Sequence, residues 1–528
     1  MIKRNLTLLP MTALAVIGLF ISCNGKGSDK EGGDSTDIAS ETEQSRLMPE
    51  LPDTAYESVS LITPKTTIYE EEISGKIDRL EDPYANVPGV FAFRKNIFRN
   101  ADMYGRVKGT PSDIRVNWEF NTDSDNRQTG SSRSWGGGSG WTGQPVYVEW
   151  PDTLLKRYAS HTKEGFSGKE IIVGSLAAHL YFIDFETGKA SRDPINVFNP
   201  IKGSIMMDPS MNGNIYVGQG IPNERPFGHV TVSLDSHRVT DKFGEDKTAP
   251  RHWGAYDSSA IRYGQFLFRP GENGQLYKFI VEPGKLKLHS TMSYTAPNAS
   301  LGMEASMAIY GNYGYTADNS GYVVCTNLNT MKPVWVFNME DDTDCSPVIT
   351  IEDGKPYLYI GNEIDKKVKG ESRFVKLNAL DGSKVWELNI KGERADWSAT
   401  RHFDGGYYST TLPGTGNCED LMFTTVVENL HGQNGKFIAI DRKTGKVRYE
   451  VPLKYYAWSS PVGFLNEKNE MFVLAADCSG NMYVINGKDG NILATKRVGN
   501  NFESSPVVSG NSAVVGSRGN GIYRVSLI

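Results

Sequence analysis

From about Pro88 to the C-terminus the chain runs in apolar bursts of 4–6 residues, rich in Val, Ile, Tyr and Phe and separated by Asp-Gly or Thr-Gly pairs. Bursts this short, of β-branched and aromatic residues between tight-turn signals, predict antiparallel strands joined by hairpins. They recur in a fixed order. An opener reads "GQPVY" at Gly143, "GSIMM" at Gly203, "SSAI" at Ser258, "ASMAI" at Ala305, "CSPVI" at Cys345, "YSTTL" at Tyr408, "SSPVG" at Ser459 and "SSPVV" at Ser504. A second run follows, such as "YLYIGN", then a third ending in a turn, such as "VKLNALDGSK" or "FIAIDRKTGK". A short run with an aromatic closes each unit, as in "PVWVF" and "KVWEL".

Aligning the openers on Pro145, Ile205, Ala260, Met307, Pro347, Thr410, Pro461 and Pro506 gives spacings of 40 to 63 residues. Four strands per unit, repeated eight times, predict an all-β, eight-bladed β-propeller of four-stranded antiparallel blades over residues 88–528. Small residues at the start of each innermost strand let eight strands crowd round one axis. The last copy supplies only "PVV", "AVVGS" and "IYRVSL". Its missing outer strand needs an aromatic, and "VNWEF" at 116–120, ahead of the first copy, provides one. The ring is therefore expected to close through this N-terminal strand, with Trp118 buried at the closure. An open solenoid would leave two bare sheet edges.

The N-terminus reads differently. Lys3 and Arg4 precede an apolar run from Leu6 to Ile21, then Ser22 and Cys23. That is the layout of a secretory signal, assigned to residues 1–22. Residues 23–87 are expected to be a disordered tether, polar and rich in Gly, Ser and acids, followed by an extension whose apolar residues show no period. No later segment reaches about 18 unbroken apolar residues, the length of a membrane span.

Over the 528 residues the formal net charge is −6, and no basic stripe is visible. Nucleic acid therefore has no electrostatic footprint here. Cys325, Cys345, Cys418 and Cys478 show neither CxxC nor CxxCH spacing, which gives no support for a zinc knuckle or covalent haem. They permit three disulfide pairings, or four free thiols. No GxSxG, HExxH or P-loop is present, and no catalytic residue is nominated.

The candidate chemistry lies before the innermost strands, in loops that a propeller gathers at one mouth of its axis. "APRHWGAYD" (249–257) and "ADWSATRHFDGGYYS" (395–409) are the densest polar and aromatic clusters. His252, Trp397, Arg401 and His402 are there either to contact a carbohydrate or peptide, or to fill the mouth. Three residues before each alignment position stand Thr142, Lys202, Asp257, Glu304, Asp344, Tyr407, Trp458 and Glu503. As a ring, four carboxylates against one lysine would attract cations or basic segments. Alternatively each acid caps its own turn. "EDDTD" (340–344) lacks the Gly and terminal Glu of an EF-hand loop and is expected to be a solvated loop.

"IDRKTGKVRYEV" (440–451), with "LDGSKVWEL" and "IDFETGKA", resembles the pyrroloquinoline-quinone-like β-propeller superfamily. "FISC", ending at Cys23, resembles the lipobox of bacterial lipoproteins, where that thiol takes the lipid. Signal, lipobox, tether and eight blades together are similar in architecture to the propeller lipoprotein of the outer-membrane β-barrel assembly machinery. The lead-in "FAFRKNIFRNADMYG" (91–105) looks like that of many bacterial lipoproteins of this class. The resemblance implies a lipoprotein held at the bacterial outer membrane, facing periplasm or cell surface, and offering a rigid scaffold to a protein partner. Its alternatives are a carbohydrate-active enzyme or glycan-binding accessory protein, and a quinone-dependent dehydrogenase. Quinoproteins of this fold typically stack the quinone over a bridge between adjacent cysteines and hold it with Ca²⁺. No two cysteines here are adjacent, so no cofactor is expected.

Overall fold

The computed structural model describes residues 47–101, 103–124, 136–141, 143–297, 299, 301–398, 401–429 and 434–528, with backbone alone at 396–398, 401–403 and 429. The signal segment, Cys23, the polar tether up to residue 46 and Thr142 lie outside them. Among the described residues eight antiparallel blades form a β-propeller. The first blade is Val146–Glu149, Lys169–Gly174, His179–Asp184 and Ile195–Asn196. The third is Ile261–Tyr263, Phe266–Gly271, Gln275–Glu282 and Lys285–Thr295. The fifth and sixth are joined into one ten-stranded sheet by a bridge between Glu393 and Asn429 and by the short strand Gly405–Gly406.

Burial explains why the runs look as they do. Phe266–Gly271 is buried at every position because a blade lies on both of its faces, so its sequence is a continuous apolar run. Arg238–Phe243, the outer strand of the second blade, alternates between exposed and half-buried positions. The predicted closure is present. Ile114–Asn121 pairs antiparallel with Gly521–Leu527, setting Trp118 opposite Arg524 and Glu119 opposite Tyr523. Trp118 is only half-buried, not buried as expected, because a closing outer strand keeps one face in water.

One contact joins successive blades repeatedly. The indole N–H of Trp335 donates to the Ala379 carbonyl at 3.0 Å, and that of Trp386 to Arg442 at 2.8 Å. Trp118 does the same to Phe185 of the first blade at 2.9 Å, so the two chain ends are coupled by the device used elsewhere in the ring. Each ring lies over the glycine of the next blade's third-strand turn, at Gly382, Gly445 and Gly188 respectively.

A second device sits nearer the axis. The backbone N–H of Ser259 donates to Ser306 Oγ at 2.8 Å, Ser306 to Ser346 at 2.9 Å, and Ser346 to Thr410 Oγ1 at 3.1 Å. Thr410 then donates to Ser460 at 3.0 Å and Ser460 to Ser505 at 3.2 Å. Gln144 donates to Ser204 at 3.0 Å, and its side chain reaches the Pro506 carbonyl at 2.9 Å. The small polar opener thus supplies a hydroxyl that satisfies the neighbouring blade's buried N–H.

This belt corrects the register of the sixth copy. Thr410 occupies the belt position that Ser346 and Ser460 hold, one residue earlier than the alignment position given to it above. The residue that faces the axis is therefore Tyr408, not Tyr407. Tyr407 is buried between the fifth and sixth blades, with its ring 5.4 Å from Phe374.

The segment before the first blade fills the axis from the other side. Residues 91–100 cross it with Arg94 and Arg99 fully buried. Arg94 donates to the carbonyls of Pro461 (2.7 Å) and Thr410 (2.5 Å), and Arg99 to those of Met307 (2.9 Å) and Phe93 (2.7 Å). The planar fork of arginine can serve several diverging carbonyls at once. The N-terminal extension, which shows no period, is ordered from residue 47 by side-chain brackets. Asn312 holds both the N–H and the carbonyl of Leu51, and Tyr313 donates to the Pro52 carbonyl at 2.6 Å. Thr63–Ile68 then adds a fifth, outermost strand to the third blade.

Candidate functional site

The loops before the innermost strands meet at the mouth opposite the Arg94–Arg99 plug, and they bring carboxylates together. Asp257, Glu272 and Glu304 each place an oxygen within 4.8 Å of the others. Asp344 and Asp342 interact electrostatically with Glu304, and Glu363 with both aspartates. Asp257, Glu272 and Glu363 are buried, whereas Glu304, Asp342 and Asp344 are half-buried and line the opening. Burial first, and then their mutual repulsion, raise the proton affinities of Glu272, Asp342, Asp344 and Glu363 well above the ordinary carboxylate range. Glu304 moves the same way through burial, partly offset by Lys202.

Lys202 is the lysine among them, forming an ion pair with Asp257. Burial alone would lower its pKa, but Asp257, Glu272 and Glu304 hold it well above its usual value. The Trp253 indole N–H donates to Glu272 Oε2 at 3.0 Å, fixing that carboxylate. Glu272 Oε1, Asp342 Oδ1 and Glu363 Oε1 are buried without a hydrogen-bond partner.

Aromatic rings line the other side. Trp458 stacks on Tyr408 with centroids 4.9 Å apart, and Trp141 meets both edge-on at 5.6 and 5.1 Å. Tyr456 stands 5.7 Å from Trp458. Of the residues singled out from the sequence, Asp257, Glu304 and Asp344 therefore share the acidic side, and Trp458 belongs to the aromatic side. Glu503 stands apart from them, paired with Arg518 at 3.0 Å and with Asn501 at 2.9 Å. His252 is exposed beside the mouth. Trp397, Arg401 and His402 lie on a hairpin, Ala395–Ser398 paired with Arg401–Phe403, whose side chains fall outside the described residues.

"EDDTD" is not a solvated loop throughout. Glu340 is exposed, but Asp342 and Asp344 turn toward the carboxylates because the strand after them starts at the axis. Sequence reading missed Glu272, Glu363, Trp253, Trp141 and Tyr408. Glu272 and Glu363 follow second strands, not openers, so the opener repeat gives no signal for them. The four cysteines are all free and buried, which settles the choice left open above.

No protein-family model matches the chain, and no curated protein matches it. Solved structures do. The quinohemoprotein alcohol dehydrogenase from Comamonas testosteroni superposes with a TM-score of 0.57 at 12% identity, covering 83% of this chain and 80% of that one. A europium-containing methanol dehydrogenase gives 0.55 at 11% identity, covering 83% and 98%. BamB from Moraxella catarrhalis gives 0.45 at 12% identity, over 68% and 93%. The fold is that of the quinoprotein alcohol dehydrogenases. At these identities the likeness concerns the fold alone.

The residues at the mouth fit a quinone poorly. Pyrroloquinoline quinone is a flat polyanion, and the acidic side would repel it. One face of the Trp458 indole is already covered by Tyr408. The cysteines are separate thiols.

Proposed function

We propose that this protein is a lipid-anchored, non-enzymatic binding propeller of the bacterial outer membrane whose acidic mouth receives a basic segment of a protein partner. One observation carries the reading: among the described residues six carboxylates, Asp257, Glu272, Glu304, Asp342, Asp344 and Glu363, converge on the axis and outnumber the cations near them, Lys202, Arg251 beside Glu304 and Arg269 beside Asp257. A low-dielectric opening with an excess of one sign of charge concentrates and steers ligands of the opposite sign. The neighbouring rings of Trp141, Tyr408 and Trp458 offer cation–π contact to an arginine or lysine. The anchor reading rests on Cys23 and the signal-like residues before it. A triacylated bacterial N-terminus supplies the several chains that firm membrane attachment requires.

Crosslinking and pull-down from membranes, with the wild type and an Asp342→Asn/Asp344→Asn variant, tests the mouth. The wild type should capture a partner in a salt-sensitive manner, and the variant should capture less with a flatter salt dependence. Capture indifferent to both changes places the partner elsewhere. Cys23→Ser should release the protein to the soluble periplasmic fraction, and a variant that stays membrane-bound would rule out this anchor. Dye reduction by wild type supplied with pyrroloquinoline quinone and Ca²⁺ would overturn the non-enzymatic reading.

A further inference from the structure

Two histidines far apart in the sequence lie ring against ring on blade turns at the end away from the mouth. His161 closes the 3₁₀ turn Ala159–His161, which follows the helix Asp152–Arg157 in the first blade's connection from Val146–Glu149 to Lys169–Gly174. His237 stands in the second blade's turn between His229–Ser233 and Arg238–Phe243. Their imidazole centres are 5.1 Å apart and their planes 15° apart. We infer that His161 and His237 bind a borderline divalent transition ion, of the Zn²⁺ or Cu²⁺ type, through their Nδ1 atoms.

The hydrogen bonds decide which nitrogens are available. His161 Nε2 lies 3.2 Å from the Asp235 carbonyl, and His237 Nε2 2.8 Å from the Asp193 carbonyl. A carbonyl can only accept, so each Nε2 carries the proton and donates, which leaves a bare lone pair on Nδ1 of the neutral ring. His237 Nδ1 is buried with no hydrogen-bond partner. A buried acceptor costs free energy unless a donor or an ion reaches it. Metal-bound histidines are oriented in this way, by a bond from the other ring N–H to a carbonyl. The spacing agrees. At a metal–nitrogen distance of about 2.1 Å, two imidazoles on one tetrahedral ion have their centres about 5 Å apart. Nearby cations are already neutralised: Arg157 pairs with Asp235 at 2.5 Å, Lys163 with Asp193 at 3.0 Å, and Arg192 with Glu170 at 3.0 Å. Imidazole donors favour Zn²⁺ or Cu²⁺ over Ca²⁺ or Mg²⁺. An ion held here pins the rim of the first blade to that of the second.

Full-length protein, purified without a histidine tag and stripped of metal, should be titrated with Zn²⁺ by calorimetry and loaded with Cu²⁺ for electron paramagnetic resonance. Saturable uptake of one Zn²⁺ is expected, and a Cu²⁺ spectrum with hyperfine structure from two imidazole nitrogens. His161→Gln and His237→Gln should each weaken Zn²⁺ binding at least ~10-fold. His252→Gln, an exposed histidine beside the mouth, should leave it unchanged. No uptake by the wild type would overturn the inference, as would a Cu²⁺ spectrum with fewer than two imidazoles. Affinity untouched by both substitutions would overturn it too. If His237→Gln fails to fold, the half-buried His161 decides: unaltered affinity in folded His161→Gln sinks the site. Neither the mouth nor partner capture enters these readouts, so this site and the partner reading stand or fall separately.

Discussion

The indole N–H of Trp386 in the fifth blade donates to the carbonyl of Arg442 in the sixth at 2.8 Å, and its ring covers Gly445. Gly445 has φ +71°, and a Cβ there would stand 2.6 Å from the indole. The Thr-Gly turn and the outer-strand aromatic, separate regularities in the sequence, are therefore the two halves of one joint between blades.

The same joint closes the ring through Trp118 and Phe185. Trp118→Ala should cost about 2 kcal/mol, less than the 3–5 kcal/mol of a fully buried ring because one face is wet. Urea unfolding measures it. A midpoint unchanged by Trp118→Ala but lowered by Trp386→Ala would show that the ends are not coupled in this way.

Belt hydroxyls should matter more than their size suggests. Ser306→Ala strips the acceptor from the buried N–H of Ser259 and should cost about 1–3 kcal/mol. Thr410→Ser, which keeps the hydroxyl, should be close to neutral, and Thr410→Val should not. Equal stability of the Ser and Val variants would remove Thr410 from the belt and restore Tyr407 to the axis.

Acid at the mouth sets a pH dependence with a definite sign. Burial first, then Asp344 and Asp342, raise the Glu363 carboxyl well above its usual range, so the native state holds this proton more tightly than the unfolded chain. Between the two pKa values the native state binds more protons, and stability falls as pH rises. Glu363→Gln removes that loss. The variant should match the wild type near pH 4 and exceed it increasingly toward pH 8, in denaturant melts without added cation. A difference independent of pH would contradict the buried charge.

Lys278 acts in the opposite direction. Fully buried, it donates to the Leu328 carbonyl at 2.7 Å and to Gly75 of the N-terminal extension. Desolvation lowers its pKa to about 7 from 10.5. Between these values the unfolded chain binds the extra proton, so stability rises with pH over that window. Lys278→Met should flatten the rise, and an unaltered slope between pH 7 and 10 would show that Lys278 is not its source.

Much of this architecture was legible in the residues themselves. Strand runs such as "FIAID", Thr-Gly turns and the unpaired "VNWEF" determine the blade number, strand order and closing partner, because alternation and turn chemistry act within a few residues. What meets at the axis was decided only by the tertiary structure. In "YYST" no apolar alternation pins the register, and a slip of one residue exchanges Tyr407 for Tyr408 at the mouth. Glu272 and Glu363 reach the carboxylates from turns after second strands, and residues 91–100 fill the axis with two arginines bonded to carbonyls of blades hundreds of residues away. Electrostatic contacts of that kind depend on distance in space, and the ring brings together side chains that lie far apart along the chain.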